Sequence, residues 1–212
     1  MPVGRGDASP GTALPGIATP GWWLTRHMET VPDRPTVLVL VGSLRPDSTN
    51  RRLAHAAVDA LPEGVRGEIS TLLPELPHYD QDLDTDSPPE AVRAFREQVA
   101  AAGALVVATP EFNGSLPGVL KNAIDWASRP RGAASLAGKP VAVLGASASP
   151  KAAQWAREDA VRVLQVAGAR PIEQTVGLAS APAALEDGDL AEDVRGQVAE
   201  LIGRLVREPL AA

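Results

Sequence analysis

Residues 36–50 read Thr-Val-Leu-Val-Leu-Val-Gly-Ser-Leu-Arg-Pro-Asp-Ser-Thr-Asn. The run from Val37 to Val41 is unbroken, apolar, rich in β-branched residues and too short for a helix, which predicts a strand buried on both faces. A loop of small hydroxyl and amide side chains with one arginine follows, and it leads into an amphipathic segment over 51–61. We therefore expect this strand to lie in the middle of a covered sheet.

The loop after this strand supports two interpretations. Backbone N–H groups at a helix N-terminus, hydroxyls and a guanidinium together suit a phosphate group. The side chains available for this are Ser43, Arg45, Ser48, Thr49 and Asn50. In the other interpretation, Ser and Asp only cap the helix of an ordinary strand-to-helix turn. The loop alone does not separate the two.

Composition limits the classes of function. A chain of 212 residues that is 44% hydrophobic and 22% charged can bury the core of one domain. The net charge of −6 argues against nucleic acid or an anionic membrane surface as the main partner. The chain has no cysteine, which excludes disulfides and thiolate chemistry. Because it shows neither a long apolar run nor the layout of a signal peptide, we expect a cytoplasmic protein.

The first 34 residues differ from the rest. They are rich in Gly, Pro, Ala and Thr without apolar periodicity, so residues 1–34 are predicted to be a disordered extension. Residues 35–210 are predicted to form the folded domain. Met28 lies just ahead of the first strand, and the sequence leaves open whether Met1 or Met28 is the natural start.

Strands and helices alternate along the predicted domain. Apolar runs predict further strands over 65–73, 104–108, 140–144 and 171–176, and helical spacing predicts helices over 51–61, 90–102, 116–127, 151–167 and 190–206. This alternation predicts an α/β three-layer sandwich around a parallel five-stranded sheet. In the order 2-1-3-4-5, known from flavodoxin, the strand order reverses between strands one and three, and ligands bind outside the carboxyl ends there.

Three loops follow the strands that meet at this edge, over 43–50, 110–115 and 145–150. Two other kinds of site, a calcium loop and a serine hydrolase triad, are excluded because residues that they require are missing. The alternating acids over 80–86 lack the glycine and glutamate of a calcium loop, which would stand at Thr85 and Ala91. A serine hydrolase needs a histidine after Ser147, and the chain has none there. We predict no metal site.

Two motifs resemble the NADPH-dependent FMN reductase family, which includes flavoproteins that reduce quinones, azo compounds and chromate. The first is Gly-Ser-Leu-Arg-Pro-Asp-Ser-Thr-Asn over 42–50. The second is Thr-Pro-Glu-Phe-Asn-Gly-Ser-Leu-Pro-Gly-Val-Leu-Lys-Asn-Ala-Ile-Asp-Trp over 109–126. The resemblance extends over roughly residues 36–176. It implies a flavodoxin-like fold, bound FMN, NADPH or NADH as reductant, and a homodimer or homotetramer.

The resemblance also implies the roles of individual residues. Ser43, Arg45, Ser48 and Asn50 would hold the FMN phosphate, with Thr49 contributing its backbone N–H. The edge of the flavin ring would be lined, largely through backbone groups, by Pro110, Glu111, Phe112, Asn113 and Gly114, with further contacts from Gly145, Ala146 and Ser147. Backbone donors fixed beside the ring stabilise the negative charge that develops there. We name no catalytic side chain, because the cofactor carries the reaction.

The third loop departs from the family pattern. It continues as Ala-Ser-Pro-Lys-Ala-Ala-Gln over 148–154, where the family usually has several glycines. One expectation is that glycine at Ala152 and Ala153 would raise the affinity for FMN and riboflavin by a similar factor. The competing expectation is that both residues lie in the first turn of the fourth helix, where glycine would cost stability. Phe112 stands where tyrosine is common. Trp126 either anchors a subunit interface, with Phe112 and Leu116, or packs in the core.

The function implied by the resemblance is an FMN-dependent oxidoreductase. It would pass hydride or electrons from NAD(P)H through FMN to a small-molecule acceptor: a flavin, a quinone, an azo compound or a metal ion. One alternative is a non-enzymatic FMN-binding electron carrier or redox sensor. A relative that kept the fold and lost the cofactor is a further alternative.

Overall fold

The computed structural model describes residues 35–186 and 188–208. The strands are β1 (Thr36–Val41), β2 (Arg66–Ile69), β3 (Ala104–Thr109), β4 (Pro140–Ala146), β5 (Arg170–Leu178), β6 (Leu185–Glu186) and β7 (Asp189–Leu190). The helices are α1 (Thr49–Asp59), α2 (Glu90–Ala101), α3 (Gly118–Ala127), α4 (Gln154–Val166) and α5 (Glu192–Leu205). The expectations for residues 1–34 and for the choice between Met1 and Met28 lie outside the described residues.

The first five strands form one sheet in the order β2-β1-β3-β4-β5, and every neighbouring pair is parallel. This confirms the predicted fold class and strand order. The carboxyl ends of the three central strands are in register, because Val41 pairs with Ala108 and Thr109 pairs with Gly145. The loops after β1, β3 and β4 therefore leave the sheet side by side.

The two faces of the sheet are buried in separate cores. Leu38, Leu105 and Val107 belong to a core that also contains Phe95 of α2 and Trp126 of α3. Val106 points to the other face, into a core shared with α1 and α5. Helices thus cover both faces, as the alternation of elements predicts. Among the described helices none is long and apolar enough to cross a membrane.

Some predicted boundaries were wrong. The second strand ends at Ile69, not at residue 73, and a 3-10 turn over Leu73–Glu75 follows. Just after the strand, the Ser70 hydroxyl accepts from the N–H of Leu72 at 3.3 Å and donates to Gln98 at 2.7 Å, as in a local turn. The short antiparallel pair of β6 and β7 was also missed, since two-residue strands leave no periodic signal.

Trp126 packs in the core, which was one of its two predicted environments. The residue is fully buried, and its Nε1–H donates to the carbonyl of Pro77 at 2.8 Å. Tyr79 packs against the indole edge-to-face, with ring centroids 4.8 Å apart. Arg96 extends the contact, since it lies over the indole and pairs with Asp84. Trp126 therefore fixes residues 77–79, which precede the acidic residues over 80–86, onto α3. In the described part no three His, Cys, Asp or Glu side chains are grouped to hold a metal ion.

Candidate active site at the carboxyl edge of the sheet

The first and second loops pack closely where they leave the sheet. The N–H of Gly42 donates to the carbonyl of Ala108 at 2.9 Å. A Cβ at Gly42 would lie 2.8 Å from Cγ of Pro117 and 3.2 Å from Cδ of buried Pro110, closer than carbon atoms normally approach. Glycine is therefore required at position 42, because only a residue without a side chain lets the two loops pack this closely.

The first loop carries a helix cap and free backbone donors at once. The Ser48 hydroxyl accepts from the N–H of Arg51 at 3.1 Å, so Ser48 is the N-cap of α1. The capping interpretation is therefore correct for Ser48. The N–H groups of Thr49 and Asn50 donate to no acceptor among the described residues, as expected for the first turn of a helix. The end of α1 thus keeps donors for an anion.

The polar side chains of the first loop differ in exposure. Ser43, Ser48 and Thr49 are buried, whereas Arg45 is exposed. The Arg45 guanidinium has no hydrogen-bond or ion-pair partner among the residues that the structure describes, although its backbone carbonyl accepts from the N–H of Ser48 at 3.3 Å. The loop is thus a cradle of buried hydroxyls and helix N–H groups with one free guanidinium at its rim. This donor set fits a phosphate monoester such as that of FMN.

Asn50 connects the first loop to the third. Its Nδ2 donates to the carbonyl of Ala146 at 3.0 Å, and its Oδ1 accepts from the N–H of Ala146 at 2.9 Å. This pair of bonds joins residues 96 positions apart and is buried. The Asn50 side chain therefore fixes the start of α1 against the end of β4, which the sequence did not indicate.

The second loop closes in a tight turn over 112–115. The backbones of Phe112 and Ser115 exchange two hydrogen bonds of 3.0 and 3.1 Å. The residues between them, Asn113 and Gly114, have φ angles of 52° and 76°. Two left-handed residues in an Asn-Gly pair are typical of a type I′ turn. The turn presents a rigid backbone edge and leaves the Phe112 side chain exposed.

Glu111 caps α4 from the second loop. The N-cap residue of this helix is Ala153, which has no side-chain acceptor. The Glu111 carboxylate instead accepts from the N–H of Ala156 at 3.3 Å. An acidic group at a helix N-terminus also interacts favourably with the helix dipole. The carboxylate of Glu111 thus has a partner within the chain.

Ser115 and Asp159 form a second connection between this loop and α4. The Ser115 hydroxyl donates to the Asp159 carboxylate, which also accepts from Arg162. The bond from Ser115, more than the Arg162 guanidinium, lowers the pKa of Asp159 below its ordinary value, and burial opposes this effect only in part. Asp159 is therefore ionised at neutral pH.

The third loop ends in two left-handed residues. Ala152 and Ala153 have φ angles of 54° and 53°, and α4 begins only at Gln154. The prediction that both alanines lie in the first turn of this helix was therefore wrong. The Ser147 hydroxyl stabilises the turn, because it accepts from the N–H of Ala153 at 3.0 Å. Backbone of this kind is usually supplied by glycine.

Gly145 makes room for an arginine that the sequence analysis did not single out. A Cβ there would lie 2.8 Å from Cγ and 2.9 Å from Cδ of Arg157. A Cβ at Gly177 would lie 2.7 Å from the guanidinium carbon of the same arginine. The Arg157 side chain thus lies flat across β4 and β5. Its Nε donates to the carbonyl of Ala152 at 3.0 Å and its Nη1 to the hydroxyl of Thr175.

The structure brings the predicted site residues to one edge of the sheet. The first loop places Ser43, Arg45, Ser48, Thr49 and Asn50 at the start of α1, and the second loop places Pro110, Glu111, Phe112, Asn113 and Gly114 beside it. Gly145 and Ser147 follow at the end of β4. Three of these residues already have partners within the chain. The Asn50 amide binds Ala146 and the Glu111 carboxylate binds the N–H of Ala156. The Arg157 side chain covers the open face of Gly145.

A family model described as NADPH-dependent FMN reductase matches residues 35–183. A 2-hydroxy-1,4-benzoquinone reductase from a Burkholderia species is 50% identical over 111 residues, which are 52% of this chain and 60% of that protein. An NAD(P)H-dependent FMN reductase from Pseudomonas aeruginosa is 48% identical over 112 residues, or 53% of this chain and 60% of that protein. Each alignment thus spans less than two thirds of the curated relative.

Solved structures share the fold. The flavoenzyme NAD(P)H:(acceptor) oxidoreductase FerB from Paracoccus denitrificans has a TM-score of 0.72 and 32% identity, over 83% of this chain and 100% of that one. The apo form of the NADH:FMN oxidoreductase EMOB has a TM-score of 0.62 and 25% identity, over 84% and 91% of the two chains. These matches confirm the resemblance inferred from the two motifs. They also confirm, at the level of the family, an FMN- and NAD(P)H-dependent flavoprotein.

Proposed function

Because this chain belongs to the NADPH-dependent FMN reductase family, we propose that it binds FMN across the three loops and transfers two electrons from NADPH or NADH to a quinone. The observation that carries this proposal is the cradle at the start of α1. Buried hydroxyls, free helix N–H groups and one free guanidinium meet there, at the point where the strand order reverses.

The net reaction balances without a catalytic side chain. NAD(P)H loses a hydride, and the quinone gains two electrons and two protons, one of which comes from solvent, to give a hydroquinone and NAD(P)⁺. When FMN is bound, it relays the two electrons. The chain's task is to hold and orient the flavin and to leave one side of it open to the other reactants.

Roles for the first loop follow from its geometry. Ser43 and Ser48 would offer buried hydroxyls to the FMN phosphate. The free N–H groups of Thr49 and Asn50, at the positive end of the α1 dipole, would donate to the same phosphate. Arg45 adds a charged fork from the rim. Asn50 acts in a second way, since its side chain keeps the first loop aligned with β4.

The second and third loops would hold the flavin ring. The tight turn over Phe112, Asn113 and Gly114 offers backbone groups to the ring edge, next to buried Pro110. Glu111 contributes by fixing this loop to α4. The end of β4 would add Ala146 and Ser147, while Gly145 serves to admit Arg157.

Quinones are the favoured acceptors because relatives of 44% and 50% identity are named quinone reductase and 2-hydroxy-1,4-benzoquinone reductase. Free flavin, azo compounds and metal ions remain within the proposed range of acceptors. We further propose a homodimer or homotetramer acting in the cytoplasm. Light scattering tests the assembly, and a monomer at micromolar concentration would contradict it.

One mixing experiment separates this proposal from its alternatives. FMN is titrated into the purified protein while flavin fluorescence is followed. NADPH or NADH oxidation is then measured with and without 1,4-benzoquinone. Tight FMN binding with quinone-dependent oxidation supports the reductase. FMN binding without any oxidation identifies the non-enzymatic carrier or sensor, and absence of FMN binding overturns both.

A further inference from the structure

Exposed apolar side chains surround the candidate site. Leu44 of the first loop, Phe112 of the second loop and Trp155 at the start of α4 are 55%, 57% and 48% exposed. Only two other large apolar side chains in the described residues are comparably exposed, Leu83 and Val166. The first loop, the second loop and the start of α4 thus each contribute one apolar side chain to the rim of the site. Such a rim favours a ligand with flat apolar faces.

Trp155 is fixed beside the second loop. Its Cε3 lies 3.5 Å from the position that a Cβ on Gly114 would take, so the indole adjoins the tight turn. The backbone at this point of α4 is held by Glu111, which binds the N–H of Ala156. Ser115 binds Asp159 one turn further along. The indole therefore forms a wall of the site whose position does not depend on a flexible loop.

Lys151 adds a positive charge to this wall. Its Nζ lies 4.1 Å from the centroid of the Trp155 ring, which is a cation–π distance. The carboxylates of this region have other hydrogen-bond partners. Glu111 accepts from the N–H of Ala156, and Asp159 accepts from Ser115. Glu158 accepts from Nε2 of Gln154 at 2.8 Å. Lys151 has no carboxylate partner among the described residues. The wall thus offers one aromatic face and one ammonium that forms no ion pair with the described residues.

We propose that Trp155 and Lys151 select the electron acceptor, favouring planar acceptors that carry a negative charge over neutral ones. This inference rests on the proposed function, since it concerns the acceptor of the same site. The indole packs against the flat acceptor, and the ammonium attracts its charge. A hydroxyquinone fits this description, because its acidic hydroxyl leaves a planar anion at neutral pH. Unsubstituted 1,4-benzoquinone has the same ring without the charge.

The test compares these two quinones at neutral pH in variants of the intact protein. Lys151→Gln should lower kcat/KM for 2-hydroxy-1,4-benzoquinone about three- to fivefold, as expected for one exposed charge, and leave 1,4-benzoquinone unchanged. Lys151→Arg should restore the preference. Trp155→Ala should lower kcat/KM for both quinones about tenfold, and Trp155→Phe should retain most of the rate. Arg204→Gln removes an exposed cation from α5 and serves as the control.

A binding measurement without nicotinamide accompanies the kinetics. The affinity of the flavin-loaded protein for each quinone should change in the same pattern, whereas Lys151→Gln should leave the affinity for FMN unchanged. An equal effect of Lys151→Gln on both quinones, or none on either, overturns the proposal. Loss of assembly in Trp155→Ala with an unchanged kcat/KM also overturns it, since the rim would then be a contact between copies. If the parent protein fails to bind FMN, the proposed function itself fails, which is a separate result.

Discussion

Replacing Ala152 with glycine should stabilise the protein. An L-residue other than glycine loses roughly 1–2 kcal/mol in the left-handed region, and Ala152 has a φ of 54°. Glycine relieves this strain but gains freedom in the unfolded chain, which costs about 0.5–1 kcal/mol. The backbone bonds of Ala152, to Ser149 and Arg157, do not involve its side chain. We expect a net gain of about 0.5–1 kcal/mol, or a Tm higher by about 2 °C.

The neighbouring Ala153 should respond less, although its φ is nearly the same. Its side chain is fully buried, so glycine there also removes one buried methyl group. That loss is about 0.8 kcal/mol and offsets the relieved strain. We therefore expect Ala153→Gly to be close to neutral. The difference between the two variants comes from burial alone, because both residues share one turn.

Ala199 provides the matched control, since it is an exposed alanine inside α5. Ala199→Gly should lower stability by about 1 kcal/mol, as glycine does within an exposed helix. The assay is urea and thermal unfolding of the three variants without added flavin. If Ala152→Gly lowers stability as much as Ala199→Gly does, the left-handed turn before α4 is refuted. Should the turn also face the flavin ring, Ala152→Gly will raise affinity for FMN and riboflavin by a similar factor.

Three further predictions concern single side chains at the site. Arg45→Ala should weaken FMN binding by about 1–3 kcal/mol and leave riboflavin, which lacks the phosphate, unaffected; equal affinity of the parent protein for both flavins would contradict the phosphate cradle. Glu111→Ala should cost about 1 kcal/mol of stability through loss of the α4 cap, and Glu111→Gln should cost less, both read from urea unfolding. The pKa of Asp159 is lower in the folded state than in the unfolded chain. The ionised carboxylate therefore stabilises the fold above the unfolded pKa of about 4, and this stabilisation is lost as the pH falls through the folded pKa. Asp159→Asn should thus flatten the decline in the free energy of unfolding measured below about pH 4.

The central strands could be predicted from the sequence because each is a continuous apolar run. Residues 37–41 and 104–108 are buried on both faces of the sheet, so their sequence and their environment agree. The strand order followed from the alternation of strands and helices together with the flavodoxin comparison. Positions of the three loops could be predicted for the same reason, since a parallel sheet places the ends of its strands at one edge.

The partners of individual site residues could not be predicted from the sequence. Glu111 caps a helix 45 residues further along, and Asn50 binds a strand end 96 residues away. No local pattern encodes such bonds. The turn at Ala152 was mispredicted for another reason, because alanine has the highest helix propensity and is uncommon at positive φ. Two alanines before a helical segment therefore indicate helix, whereas the tertiary structure imposes a turn.

Arg157 explains how this chain keeps a left-handed turn without glycine at positions 152 and 153. The guanidinium lies against Gly177, the side-chain stem lies against Gly145, and Nε binds the Ala152 carbonyl. Both glycines lie next to each other on β4 and β5, where their Cα atoms pair in the register of the sheet. The space that glycine usually leaves for a ligand or another backbone is here taken by an arginine. Strain at Ala152 and Ala153 is thus balanced by hydrogen bonds from Arg157 on one side and to Ser147 on the other.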